Sequence, residues 1–301
     1  MQLPKSIRLD KIENELLTQK GISLQIARLD QLHPVVSGNK LFKLHFFLQE
    51  AIQKNINRLL TFGGPYSNHL VATAYACREL GLESVGLVRG ESPAKWSPTL
   101  VDCKRYGMEL HFLSRNDYSL YQSDAFRDRL VQTYGSQMMV PEGGFHPLGA
   151  AGAALIPGLL DQKDPSHVVV ACGTYTTIAG LAKAYADNAT QIIAIEVLNG
   201  MKDQEKRLSY LSEKMPYAQI QFIQDAHAGG YAKYDKALLQ FMNDFHAASG
   251  IPTDFVYTGK MMKAVYEMIG RGDFPEGSRI ICIHSGGLQG NRSLPDGSLH
   301  F

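Results

Sequence analysis

Short apolar runs alternate with amphipathic stretches along most of the chain. Residues 58–62 read as a strand ending in Gly63-Gly64, and 68–80 follow with helical spacing, closed by Gly81. The rhythm continues with strands at 84–88, 109–113 and 138–141 and helices at 99–106 and 124–134. In the second half, strands are expected at 167–171, 191–197 and 279–283, and helices at 177–186, 236–249 and 260–269. The strand runs are rich in β-branched residues without polar alternation, which predicts burial on both faces. Strand–helix alternation then predicts an α/β protein with mostly parallel sheets flanked by helices. Ligands in such sheets bind beyond the carboxyl ends of strands. Gly63-Gly64, Gly143-Gly144, Gly173 and Gly286-Gly287 fall at such ends, so a site is expected there. No repeat or low-complexity tract interrupts the pattern. The Gly- and Pro-rich stretch 141–149 comes nearest to a boundary.

Composition narrows the class. The 301 residues are 45% hydrophobic and 20% charged, with 30 basic against 29 acidic side chains and a formal net charge of +1. That balance does not favour nucleic acid or an anionic membrane as partner, and leaves small-molecule chemistry. The length accommodates one large α/β unit or two lobes of roughly 100–200 residues. Cys77, Cys103, Cys172 and Cys282 form no CxxC pair, which argues against a zinc site or a disulfide framework. The N-terminus lacks the apolar stretch of a signal peptide, and no run approaches the roughly 18 apolar residues of a membrane span. A reduced, cytoplasmic protein is the expectation.

Candidate chemistry concentrates in two segments. Ser37-Gly38-Asn39-Lys40-Leu41-Phe42-Lys43 sets a lysine after a small, turn-forming Gly-Asn, with a second lysine one helical turn on. By itself this also fits two solvated first-turn lysines. Gly63-Gly64-Pro65-Tyr66-Ser67-Asn68-His69 hands a strand over to a helix, where unpaired N–H groups hold an anion and Ser67 also fits a helix cap. Gly173-Thr174-Tyr175-Thr176-Thr177 repeats that geometry after another buried strand, with threonine hydroxyls added. A GxGxxG placed after the first strand is missing, so a nicotinamide-binding Rossmann domain is set aside.

The Gly-Asn-Lys-x-x-Lys and Gly-Gly-x-x-Ser-Asn segments resemble the family of 1-aminocyclopropane-1-carboxylate (ACC) deaminase and D-cysteine desulfhydrase. Glu142-Gly143-Gly144, Val256-Tyr257-Thr258-Gly259-Lys260 and Ile283-His284-Ser285-Gly286-Gly287 are similar to further blocks of that family, in the same order. The resemblance covers about residues 35–291. It implies a two-lobed, tryptophan-synthase-like (fold type II) enzyme using pyridoxal 5'-phosphate (PLP). The smaller lobe would span 44–149, the larger 1–43 and 150–301, and the assembly would be a homodimer.

Carried over residue by residue, the resemblance makes Lys40 the Schiff-base lysine, with Lys43 beside the cofactor. Asn68 would bond the cofactor's 3-oxygen and share the substrate with Ser67 and His69. Gly173, Thr174, Thr176 and Thr177 would hold its phosphate. Tyr257 is the candidate acid, Tyr231 a second substrate-side tyrosine, and Thr258 and Ser285 the candidate partners of the pyridine nitrogen. Two departures matter. The family's Gly-x-Gly-Gly-Thr phosphate loop has Tyr175 and Thr176 in place of glycines, so the loop is expected to be strained or rebuilt if those positions need φ > 0. Thr258 stands where ACC deaminases carry glutamate, which points towards β-elimination of a small amino acid such as D-cysteine. The alternatives are an ACC deaminase proper, another lyase such as a serine or threonine dehydratase, and a PLP-holding protein with little turnover.

Overall fold

The structure, a computed structural model, describes residues 1–161, 164–212 and 219–301. Ten strands form two sheets among these residues. The smaller has the order β5-β4-β3-β6, from β3 (Arg58–Gly63), β4 (Glu83–Arg89), β5 (Glu109–Leu113) and β6 (Met138–Val140), and is wholly parallel. The larger has the order β1-β2-β10-β7-β8-β9. Its strands are β1 (Leu9–Ile12), β2 (Ser23–Ala27), β7 (His167–Cys172), β8 (Gln191–Glu196), β9 (Ile220–Ile223) and β10 (Arg279–Ile283). Only β1 runs antiparallel, paired with β2. The central strands are buried almost throughout, β7 from Val168 to Cys172 and β10 from Ile280 to Ile283. The unalternating sequence had required this.

Three helices place the site. α2 (Asn39–Gln53) packs on α7 (Pro147–Ala153), and α7 on α8 (Thr176–Ala184). Glycines make that stack tight. A Cβ at Gly152 would lie 2.0 Å from the Phe42 carbonyl oxygen, and one at Gly180 would lie 2.5 Å from that of Ala150. The close approach brings the first turns of α2 and α8 side by side. Burial of Ala150, Ala153, Ile178, Ala179, Leu41, Phe42 and Leu44 in one core cluster holds them there.

The predicted elements recur with shifts of a residue or two at most ends, while α11 (Thr258–Arg271) starts earlier than expected because Gly259 is helical. A Cβ there would meet the Met242 sulfur at 2.8 Å and the Asp254 carbonyl at 2.9 Å, so the glycine serves packing and does not mark a turn. The stretch 141–149 contains a short turn and the start of α7, with Pro147 at a first-turn position. Its composition, Pro-Leu-Gly-Ala-Ala-Gly-Ala, hides a helix because small residues leave no apolar stripe.

Candidate active site

The segment that carries Lys40 is fixed before its side chain is considered. Gly38 N–H donates to the Leu29 carbonyl (2.9 Å), Asn39 N–H to that of Ser285 (3.2 Å), and the Ser37 hydroxyl to that of Asp30 (3.2 Å). Gly38 has φ 67° and ψ −142°, a conformation essentially confined to glycine. A Cβ there would lie 1.9 Å from the Ser285 carbonyl oxygen. The start of α2 is thus pressed against the carboxyl end of β10.

Lys40 Nζ donates to Asn39 Oδ1 (2.8 Å), and Asn39 Nδ2 donates to Thr177 Oγ1 (3.0 Å). Burial lowers the Lys40 pKa to about 8, with the negative charge of Asp254 opposing the shift. Lys43 is 5% exposed, and its pKa is driven well below the ordinary lysine value by burial and by the charge of Lys40. Among the described residues no carboxylate lies within ion-pair distance of its ammonium, which reaches Thr174 Oγ1 at 3.4 Å. A buried cation without an anion is costly, so the arrangement fits an anionic guest. The first turn of α8 supplies N–H groups with no intrahelical partner at the same place.

The threonine loop is rebuilt around one residue. Tyr175 has φ 61° and ψ −7°, so the first replaced glycine position does take the left-handed conformation; Thr176 does not. The Tyr175 ring is 1% exposed, meets Phe222 edge-on, and donates its hydroxyl to Glu196 Oε1 at 2.6 Å. A left-handed tyrosine costs on the order of 1 kcal/mol, which that burial offsets.

One cavity of about 840 Å³ gathers most of the expected residues. Lys40, Lys43, Ser67, Asn68 and His69 line it, with Gly173, Thr174, Thr177, Tyr231, Tyr257 and Ser285. Thr176 is fully buried behind Thr174, its hydroxyl 3.0 Å from that of Thr174, and does not line the cavity. Thr258 is likewise enclosed; its hydroxyl donates to Asp254 Oδ1 and accepts from the Asp254 N–H, both at 2.7 Å. Of the two candidate partners for a pyridine nitrogen, only Ser285 lines the cavity.

On the substrate side, the Ser67 hydroxyl caps α3 (Asn68–Glu79), accepting from the N–H groups of His69 and Leu70. Among the described residues the Asn68 side-chain oxygen is buried without a hydrogen-bond partner, and a Cβ on Gly64 would meet nothing within 4 Å. An orphaned polar atom and an open glycine face are what a flat, oxygen-bearing ring would occupy. His69 is pushed down to about 3 by burial and by the charges of Lys40 and Lys43, so its ring is neutral. Thr61 Oγ1 donates to the Val140 carbonyl and lies 2.9 Å from His69 Nε2, so it must accept from that nitrogen. That fixes the proton on Nε2 and leaves Nδ1, which is buried without a partner among the described residues, as a bare acceptor.

Sequence reasoning missed several groups. Arg89, Arg115, Arg207 and Lys233 line the cavity beside Lys40 and Lys43, against the single carboxyl of Glu142. A nearly neutral chain thus concentrates positive charge at one opening, and burial pushes the Glu142 carboxyl up towards neutrality. Arg89 was legible: Arg89-Gly90 ends a strand just as Gly63-Gly64 does. Asp254 accepts from the N–H groups of Val256, Tyr257 and Thr258 and from the Thr258 hydroxyl, so it caps α11 and aims Tyr257 at the cavity. Asp254 lies four residues ahead of the helix, beyond the usual capping position, so the local pattern gave no signal for it.

With this geometry established, the comparisons with known proteins agree. A family profile described as pyridoxal-phosphate dependent enzyme matches residues 10–286, and the chain belongs to that family. The bifunctional D-cysteine desulfhydrase/ACC deaminase of Arabidopsis thaliana, a mitochondrial protein, is 29% identical over 301 aligned positions, covering 90% of this chain and 73% of that one. The D-cysteine desulfhydrase of Salmonella choleraesuis is 27% identical, covering 89% and 87%. Among solved structures, an ACC deaminase homologue superposes with a TM-score of 0.83 at 24% identity, covering 96% of this chain and 91% of that one, which shows the shared fold. The expected type II fold and PLP as cofactor are borne out. No helix among the described residues is long and apolar enough to cross a membrane.

Proposed function

We propose that the protein is a PLP-dependent lyase that removes a β-substituent from a small amino acid, D-cysteine being the leading substrate, to give a keto acid and ammonia. The observation that carries the reading is the pair of lysines on the first turn of α2, Lys40 half-buried in the cavity wall and Lys43 buried behind it. Lys40 has its pKa lowered to about 8 by burial, and Lys43 lies against the threonine loop with no carboxylate partner among the described residues. Bound at this place, the cofactor would supply an electrophilic carbonyl for the lysine and an electron sink for the substrate's α-carbon. Lys43, Thr174 and the first turn of α8 would hold its phosphate, and Ser285 would face the ring nitrogen with a hydroxyl. Asn68 would stand beside the ring oxygen.

The chain's own groups then divide the work. Asn39 holds the Lys40 amine on the Thr177 side of the cavity, and the freed amine removes the α-proton. Tyr257, with a pKa raised well above that of an ordinary phenol by burial, remains protonated and donates to the departing sulfur. The Cα–H and Cβ–S bonds break, and water completes the change from D-cysteine to pyruvate, ammonia and hydrogen sulfide. Thr258 supports elimination over ACC ring opening: the position carries no carboxyl group, and its hydroxyl is committed to Asp254 and does not line the cavity. The positive rim draws substrate carboxylates inward.

The test is keto-acid release by the PLP-loaded protein from D-cysteine, L-cysteine and ACC, with Lys40→Ala alongside. Pyruvate from D-cysteine is expected, with loss of at least about 10³-fold in the variant. 2-Oxobutyrate from ACC would overturn the inference from Thr258. A borohydride-reducible adduct persisting in Lys40→Ala would overturn the assignment of the lysine.

A further inference from the structure

Lys260 sits on α11, 2% exposed, and is not among the cavity-lining residues. Its ammonium makes two hydrogen bonds of 2.7 Å, to the carbonyls of His227 and Gly230. Among the described residues it has no carboxylate at ion-pair distance; Asp254 and Asp235 act on it only through space. A buried lysine spent on two backbone carbonyls needs a structural reason, because isolating the charge is unfavourable.

The turn it holds supplies one. Residues 227–232 contain four positive-φ positions: Ala228 (47°), Gly229 (89°), Gly230 (119°) and Ala232 (53°). Two of these are alanines, each left-handed at on the order of 1 kcal/mol. The backbone bonds within the turn, Gly230 N–H to His227 O (3.0 Å) and Lys233 N–H to Gly230 O (3.2 Å), end on the same two carbonyls that Lys260 takes. This turn contributes Gly229, Gly230 and Tyr231 to the cavity wall, and Lys233 follows directly after it there. Tyr231 is 46% exposed, and its ring centroid lies 6.5 Å from that of Tyr257. Lys260 follows Tyr257 by three residues, so the helix that presents the candidate acid also anchors the turn opposite it.

We propose that Lys260 is a positioning residue: by donating to the His227 and Gly230 carbonyls it holds the 227–232 turn in its left-handed form and so fixes Tyr231 in the cavity wall beside Tyr257. The structural claim stands on this geometry. Its catalytic consequence rests on the lyase reading above.

The experiment separates the two. Lys260→Met keeps most of the side chain's apolar stem and removes its donors; Lys260→Gln, whose amide is one atom too short to reach both carbonyls, replaces it if the methionine variant does not fold. Chymotryptic cleavage after Tyr231, followed by mass spectrometry in the PLP-loaded protein, should quicken at least fivefold in the variant. The absorbance of the bound cofactor should be unchanged. Equal cleavage in a folded variant overturns the proposal whatever the enzyme's substrate. In the activity arm, kcat/KM for D-cysteine should fall about tenfold in Lys260→Met, and Tyr231→Phe added to it should cost little more. Fully additive losses would overturn action through Tyr231. Absence of turnover by the unsubstituted protein would defeat the lyase reading, and the cleavage arm would still decide the role of Lys260.

Discussion

Two loops approach the same cavity and solve one problem differently. At the start of α2 the backbone must pass close to the end of β10 with positive φ, and Gly38 does so with no side chain. At the start of α8 the backbone again turns left-handed, but the residue there is Tyr175. The first loop avoids strain; the second accepts it and spends the side chain on a buried bond to Glu196. Gly38 therefore has no tolerated replacement, whereas the threonine loop can depart from its family's glycines because an anchor lies behind it.

Gly38→Ala should break the first half of this comparison with the largest effect. The new methyl would lie 1.9 Å from a backbone oxygen that cannot swing away. Destabilisation of about 3 kcal/mol is expected from overpacking and the disallowed conformation, read as a lower Tm and loss of cofactor binding. A variant as stable as the parent would mean that the loop is free to move apart.

Lys43→Met probes what the two loops share. It removes the cation facing Thr174 and relieves a buried charge, so the cofactor-free protein should be no less stable, while affinity for PLP falls. Losing a charge-assisted contact of about 2 kcal/mol corresponds to roughly 30-fold in Kd, measurable by titrating the apoprotein. Unchanged affinity would place the phosphate elsewhere.

Tyr175→Phe sharpens the second half. The ring and its strain remain, but among the described residues Glu196 Oε1 keeps only the 3.2 Å bond from Gln204. A loss of about 1.5 kcal/mol in stability is expected, as for a hydrogen bond to a charged group. PLP affinity should change far less than in Lys43→Met. If affinity fell instead and stability held, Tyr175 would belong to the cofactor site and not to the anchor.

Legibility in the sequence followed the same division. Most buried strands and the glycines that end them were readable because parallel sheets demand apolar runs and sharp exits, so the loops that meet at the cavity were placed without coordinates; the interior strand β2 was not read. The tolerance of Tyr175 was not readable, since its partner Glu196 lies 21 residues on and only the pairing of β7 with β8 brings it near. Thr258 shows a further limit. Its neighbours suggested a ring contact, but a cap formed by Asp254, four residues earlier, consumed its hydroxyl. Short edge elements were missed for local reasons: β1 alternates little and carries charges, and α1 (Glu15–Lys20) is only six residues between the Asn14 cap and Gly21.

The gentlest test of the comparison is the pH dependence of cofactor loading, which interrogates Lys40 without altering either loop. Only the neutral amine attacks an aldehyde, and burial has lowered the Lys40 pKa from 10.5 to about 8. A depressed lysine pKa means that the proton is lost earlier as pH rises. The loading rate of apoprotein should therefore climb about tenfold per pH unit below pH 8 and level off above it, as followed by the growth of the imine absorbance at fixed PLP. Removing the opposing charge with Asp254→Asn should lower the plateau onset further, provided the capped helix stays folded. A rate still rising steeply at pH 9.5 would mean that Lys40 is solvated and ordinary. The crowding of α2 against β10 by Gly38 would then serve packing alone and have no part in preparing the amine.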